Sequence, residues 1–413
     1  MESSTGLNAL TVDQAFEAFF DEAEECANEP VPHLKYRGGR TKVDTKLPTL
    51  IVEGSWKSAR PTTMDDITLM HMIEGQCKTW PGPMVAVIYT YLELFDTANP
   101  QRLEEAKAVI AELHARMEAE PGACALNLVL MSEAVQPGGG WAYPYNPLRN
   151  QAIARARTKL IFMLDVDFIP NADMYRQLTA PESYGPLLTR MYAHKHLVVM
   201  PAFEINRQID IARGLEIAHD LARNGSKAAV LATLASKDMY EFGPYYPAGH
   251  RATNFKRWYR TTTQPYYHIK WEDGFEPFVM VSRLHVPWFD ERFRGYGWDK
   301  ISHAFVVHRP HPPSAAYNAT FSGPAYTSKH RSNEEKEKLR VIWNEMRADI
   351  KYKRYPTYGV SALAACRPVH WFKGLETEII RGSAIARRVP PKERDRKIEF
   401  LRGTMGQPVV PWW

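Results

Sequence analysis

The sequence predicts an α/β domain built on a largely parallel sheet. Two observations carry this. Between Leu47 and Phe168, β-branched and apolar runs alternate with segments whose apolar residues recur at helical spacing. The last of those runs, "KLIFML", leads straight into Asp165-Val166-Asp167. Paired carboxylates then stand at the carboxyl end of a buried strand, where α/β sheets bind ligands.

In chain order, residues 1–46 read as a short helical lead-in and a polar, basic linker ("YRGGRTKVDTK"). Leu47–Val52 is the first strand. Asp65–Lys78 is a helix with Ile67, Met70, Ile73 and Cys77 on one face, ended by Trp80-Pro-Gly-Pro83. Met84–Leu92 is a second strand, Gln101–Glu118 an amphipathic helix and Ala125–Met131 a third strand. Pro147–Arg157 is a helix that feeds "KLIFML". From Tyr240 to Tyr326 the chain is rich in Tyr, Trp, Pro and His, which predicts loops and short strands over a cleft. Within it a short apolar strand is expected before "VVHRPH". Ser332-Asn-Glu-Glu335 has the form of a capping box. It opens a core-packing helix with Leu339, Ile342, Trp343, Met346 and Ile350 at helical spacing. Residues 47–355 thus form the folded domain, and residues 356–413 a basic extension whose run "RRVPPKERDRK" is a solvated tail.

Bulk properties exclude several classes. Hydrophobic residues make up 45% and charged ones 24%, a globular rather than a disordered balance. A net charge of +5 over 413 residues gives no reason to expect nucleic acid and suits an anionic substrate. The four cysteines, Cys26, Cys77, Cys124 and Cys366, form no CxxC pair, so zinc is not indicated, while disulfides stay open. No stretch approaches the roughly 18 apolar residues of a membrane span. The first residues carry no basic and apolar leader, so the chain taken literally is soluble and untargeted. Asn224-Gly225-Ser226 and Asn318-Ala319-Thr320 are glycosylation sequons if the chain enters a secretory compartment.

The chemistry concentrates in two places. Asp165 and Asp167 repel each other, and burial worsens the conflict. A divalent cation such as Mg²⁺ or Mn²⁺ resolves it and can bridge a diphosphate. Just upstream, Asn146, Arg149 and Asn150 lie near a helix start, a setting that suits anionic or polyhydroxylated ligands. The second place is "FEPFVMVSRLHVPWFDERFRGYGWDKISHAFVVHRPHPPS", with Glu276, Arg283, His285, Asp290, Arg292, Asp299, His303, His308 and His311. A histidine there could complete a cation site begun by the two aspartates.

The stretches "TLIVEGS", "WPGPMVAVIY", "YPYNPLRNQA", "LDVDFIP", "PAFE", "FEPFVMVSR", "FDERFRGYGWDKISH" and "VVHRPHPPS" occur in the order expected of glycosyltransferase family 49, which this chain resembles from about Leu47 to Tyr355. The resemblance implies a GT-A-like nucleotide-sugar-binding fold with a mixed, mostly parallel central sheet. It implies a UDP-sugar donor (UDP-glucuronate in known members), Mn²⁺, inversion at the anomeric carbon and a glycan or glycoprotein acceptor. By residue, Asp165 and Asp167 match the family's DxD and would hold Mn²⁺. His308 matches the late histidine and would be its third protein ligand. His311 belongs to the "HxPH" form. Thr49, Val52, Asn146, Arg149, Asn150, Asp165 and Val166 would line the donor. Inverting transfer needs a general base. Glu276 is preferred, Asp299 second. Glu204, Trp298 and Tyr296 are acceptor-side candidates, the aromatics by stacking.

Three departures accompany the resemblance. Members usually carry an N-terminal signal anchor and work in the Golgi lumen, and no anchor is visible here. Only Ala304 separates His303 from "FVVH", where members have a longer stretch with a strand and loop. The basic C-terminal extension has no counterpart. Two alternatives follow: a catalytically inactive sugar-binding relative, and a phosphohydrolase of the haloacid-dehalogenase type with Asp165 as nucleophile.

Overall fold

A computed structural model describes residues 35–37, 48–56, 64–93, 96–135, 143–156, 158–193, 195–260, 266–283, 285–308, 313–316, 320–322 and 333–352. His311, Cys26, Cys366, the Asn318 sequon, most of the lead-in and the basic extension lie outside them.

The centre is a nine-stranded mixed sheet, in the spatial order β1 (Lys35–Arg37), β4 (Ala125–Val135), β3 (Pro83–Glu93), β2 (Thr49–Trp56), β5 (Leu160–Met163), β11 (Phe278–Ser282), β7 (Leu197–Met200), β12 (Pro313–Ala316) and β10 (Tyr266–His268). Its longest ladders are parallel: β3 pairs along all 11 residues with β4, and β2 pairs with β3 and β5. The antiparallel strand β11 is inserted between β5 and β7. The α/β class and its mixed, mostly parallel sheet are as expected.

Apolar residues cover both faces of the parallel run, which is why its strands read as near-continuous hydrophobic stretches. In β3, Val85, Val87 and Tyr89 face one core, while Met84, Ala86 and Ile88 face the other. The helix Tyr145–Arg155 lies on the first face through Leu148, Ala152 and Ile153. The helix Asn99–Ala119 lies on the second through Ala106, Ile110, Leu113 and Met117.

A second, four-stranded sheet has the order β6 (Phe168–Pro170), β13 (Thr320–Ser322), β8 (Ala202–Ile205) and β9 (Met239–Glu241). The chain passes from the large sheet to the small one three times: β5 to β6, β7 to β8, and β12 to β13. Asp165 and Asp167 lie in the first of these crossings.

One element differs from the sequence reading. The apolar stretch before His308 is not a strand but the end of a helix, Asp299–Val307. Four apolar residues cannot by themselves distinguish the two. Packing decides it: Ile301, Phe305 and Val306 close on Leu339, Trp343 and Met346 of the helix Asn333–Lys351. That helix is the core-packing one expected. Cys77 and Cys124 form a disulfide joining the end of the helix Met64–Thr79 to the approach to β4.

Candidate active site

The β5 strand ends at Met163, and the Leu164 amide donates to the Ile51 carbonyl at 3.1 Å, keeping the exit in register with β2. The chain then turns through Asp165-Val166-Asp167, closed by the Phe168 amide donating to the Asp165 carbonyl at 3.1 Å. Gln76 holds this turn from below. Its buried Nε2 donates to the carbonyls of Asp165 (3.3 Å), Val166 (3.1 Å) and Phe168 (2.6 Å). Gln76 was missed in the sequence, because a glutamine on a helix carries no motif.

Asp165 is half-buried between two cations. Lys300 Nζ stands 2.6 Å from Oδ2 and Arg149 Nη2 3.3 Å from Oδ1. Arg149 also donates from Nη1 to Asp299 at 2.7 Å and to Asn146 Oδ1 at 3.2 Å. Burial alone would raise Asp165, but Lys300 and then Arg149 hold it below the ordinary carboxylate range. Lys300, conversely, is lifted by Asp165 and Glu276 against the effect of its own burial. Asp167 reaches solvent yet sits among many protein atoms. That crowding, and then the Asp165 charge, push it upward. This unresolved repulsion between hard oxygen donors fits a divalent cation.

Glu276 belongs to the same cluster. Its amide donates to the Gly249 carbonyl at 2.8 Å, which fixes the residue just before β11. Burial drives its carboxyl up to about 7; Lys300 opposes this, while Asp299 and Asp165 add to it. Among the described residues no hydrogen bond engages this carboxylate. Asp299, by contrast, is buried and tied to Arg149. His250, also missed in the sequence, lies buried beside Lys300 and Asp165. Burial, and then Lys300, press it down to about 3, so it is a neutral wall. Lys300 was legible only in part: two carboxylates in one place demand a counter-cation, but nothing in "GWDK" said which one.

Other residues named from the sequence have structural duties. Asn146 is fully buried and donates to the carbonyls of Asp290 (2.8 Å) and Asp299 (3.4 Å). Asn150 binds the Phe289 backbone through both ends of its amide and also reaches Glu291 at 2.8 Å. Both clamp the segment 289–299 to the helix beneath the aspartates, and only Arg149 of that trio reaches Asp165. Thr49 is buried at the start of β2 and hydrogen-bonded to Thr158. Val52 is buried and, with Asp165 and Lys300, lines the cavity behind the aspartates. Val166 packs on the core with its carbonyl taken by Gln76.

His308 does not join the carboxylates. It caps the helix Asp299–Val307, stacks on Trp271 with centroids 3.8 Å apart, and has Nδ1 3.3 Å from the Ala304 carbonyl. Among the described residues no three His, Cys, Asp or Glu side chains converge on one point. The physical reason is the helix itself, which runs from Asp299 straight to His308. Glu204, on β8, is buried, raised by that burial and within 3.8 Å of Arg207. Trp298 is half-buried and packs on Trp343 at 4.8 Å, whereas Tyr296 is 60% exposed.

Residues 61–311 match the family described as "Glycosyl-transferase for dystroglycan". The chain is 32% identical over 293 residues to the xylosyl- and glucuronyltransferase LARGE2 of Homo sapiens, covering 64% of this chain and 36% of that protein. It is 29% identical over 316 residues to LARGE1 of Danio rerio, covering 71% and 35% respectively. The chain therefore spans about a third of the length of these curated relatives. The family match covers more than half of this chain and contains both aspartates, Glu276 and Lys300, which sets the phosphohydrolase alternative aside. The chain belongs to glycosyltransferase family 49.

Proposed function

We propose that this protein transfers a sugar, glucuronic acid by the family resemblance, from a UDP-sugar to a glycan acceptor with inversion at the anomeric carbon. One observation supports this most strongly. A half-buried carboxylate with no hydrogen-bond partner among the described residues, Glu276, shares an electrostatic cluster with the Asp165–Asp167 pair and two cations.

A divalent cation, Mn²⁺ by the same resemblance, would be held by Asp165 and Asp167 and would supply charge neutralisation to the leaving diphosphate. The chain's own residues do the rest. Lys300 and Arg149 fix the Asp165 carboxylate, and Arg149 ties it to Asp299 and so to the start of the helix 299–307. Glu276 accepts the proton of the acceptor hydroxyl as its oxygen bonds to the anomeric carbon and the bond to the diphosphate breaks. Asp299, engaged by Arg149, is a positioning residue. A Golgi-lumen setting follows from the resemblance and is supported by the Cys77–Cys124 disulfide, since such bonds persist in oxidising compartments. Among the described residues no helix is long and apolar enough to cross a membrane.

The test is a panel of UDP-glucuronate, UDP-xylose and UDP-N-acetylglucosamine with Mn²⁺, scored for released UDP with and without glycoside acceptors. Turnover with one of them, lost in Asp167→Asn and in chelator, is the expected outcome. A second reading, a sugar-binding relative without turnover, draws on His308 being stacked on Trp271. Saturable UDP binding with no release from any donor selects that reading.

A further inference from the structure

Asn224-Gly225-Ser226 is a sequon that the transferase chemistry leaves unused. It joins two helices, Ile211–Asn224 and Lys227–Ala235. The fold accounts for two of its three residues. A Cβ at Gly225 would come within 2.3 Å of the Leu221 carbonyl oxygen, so the close approach of the backbone there calls for glycine. Ser226 caps the second helix, its Oγ accepting from the Ala229 amide at 3.2 Å. Asn224 has no such duty. It is exposed, and among the described residues its side chain hydrogen-bonds to Asp220, itself exposed, at 3.1 Å.

The frame around Asn224 is fixed from the inside. Gly214, Ala218, Leu221 and Ala222 form the buried side of the first helix, while Asp220, Arg223 and Asn224 are exposed. Buried Asn171 donates from Nδ2 to the carbonyls of Leu221 and Gly225, both at 3.0 Å. Asn224 therefore stands in water on a held backbone, with room for a bulky group.

The second helix gives such a group something to cover. Val230 is its one buried residue, and Ala228, Leu231, Ala232 and Ala235 are exposed. Spacings of three and four put those four on one face. A contiguous apolar face in water invites association, and this one starts directly after the sequon.

We propose that Asn224 is N-glycosylated and that the glycan covers the exposed face of the helix Lys227–Ala235. The oligosaccharide comes from a lipid diphosphate. Asn224 Nδ2 bonds to the anomeric carbon, the carbon–oxygen bond to the diphosphate breaks, and the amide gives up one proton. The proposal rests on the oxidising-compartment reading above and not on the transferase chemistry. The Cys77–Cys124 disulfide supports that compartment independently of the sequon.

The test takes the full-length protein from the cells that make it. Cleavage after Glu216 and Glu241 releases residues 217–241 for mass spectrometry. The peptide should carry hexose-containing mass. Peptide N-glycosidase in H₂¹⁸O should then convert Asn224 to ¹⁸O-labelled aspartate, whereas earlier spontaneous deamidation of this Asn-Gly pair leaves ordinary oxygen. Unmodified Asn224 beside an intact Cys77–Cys124 bond overturns the proposal alone. Unmodified Asn224 with both cysteines as thiols overturns the compartment reading with it. Neither result touches the transferase reading, which release of UDP reports separately. Asn224→Gln should lose the glycan and elute later from a phenyl matrix, while Ser226→Thr, which keeps sequon and cap, should elute with the wild type. Retention of the disulfide in both variants guards against misfolding. Equal elution of the wild type and Asn224→Gln overturns the covering role.

Discussion

Glu276 carries two predictions of opposite kind. As a base it must be ionised, so kcat/KM should climb with pH along a limb centred at about 7, where burial has moved this carboxyl. Glu276→Gln should lower activity roughly 10²–10⁴-fold and abolish that limb in a pH-rate profile. Stability runs the other way. Its folded-state value lies above the ordinary 4.5, so the folded chain binds this proton more tightly than the unfolded one. That contribution is fully present below about pH 4.5 and is lost as pH rises through about 7. Glu276→Gln should therefore raise the melting temperature at pH 8, by on the order of 2 kcal/mol of stability, and change little at pH 4.5. Lys300 behaves oppositely to Glu276. Lys300→Met leaves Asp165 with Arg149 alone and should cost about 1–2 kcal/mol in urea denaturation, since breaking one side of a half-buried pair strands part of the other charge. Lys300→Arg, keeping the charge, should restore most of it.

Among the elements, the helix Met64–Thr79 carries more than its sequence announces. Through Gln76 it supports the turn bearing both aspartates, and through Cys77 it is bonded to the approach to β4. Gln76→Leu removes a donor shared by three carbonyls and should cost about 1–3 kcal/mol while also weakening Mn²⁺-dependent UDP binding in calorimetry. The 47-residue separation of Cys77 and Cys124 gives a loop whose closure is worth about 4 kcal/mol. A Cys77→Ser/Cys124→Ser double variant should lose up to that amount in a urea melt. The first half of the sheet was legible because its signals are local: alternating periods, a Trp-Pro-Gly-Pro break and an apolar run, "KLIFML", ending in Asp-x-Asp. The place of Asp165 and Asp167 in the turn after a buried strand was legible for the same reason. What failed was non-local. The helix ending at His308 is decided by Leu339, Trp343 and Met346 far along the chain, and the duties of Asn146 and Asn150 by a segment some 140 residues away. Gln76 and His250 reach Asp165 only through the fold, and a one-dimensional pattern holds no trace of that.

At the scale of the molecule, the site is a seam. Three chain crossings join the nine-stranded sheet to the four-stranded one, with Asp165 and Asp167 in the first and Glu204 just past the second. Lys300 and Asp299 approach from the helix that packs on Asn333–Lys351. A nucleotide diphosphate bound there with Mn²⁺ would touch groups belonging to separate packing units, so it should tighten all of them together. Ligand at a hundredfold excess over its dissociation constant adds about 2.7 kcal/mol to global stability. The regional pattern is the sharper readout. Hydrogen exchange with UDP and Mn²⁺ should slow in peptides spanning 164–170, 200–206 and 295–303. It should not change in the helix Asn99–Ala119, which packs on β4 away from the aspartates. In Asp167→Asn the slowing at 164–170 should vanish and that at 200–206 and 295–303 should fall with it, because one ligand links them. If protection rises in 164–170 alone, the seam does not act as a unit. Binding would then be confined to the aspartate turn, and Lys300 would serve the fold without meeting the donor.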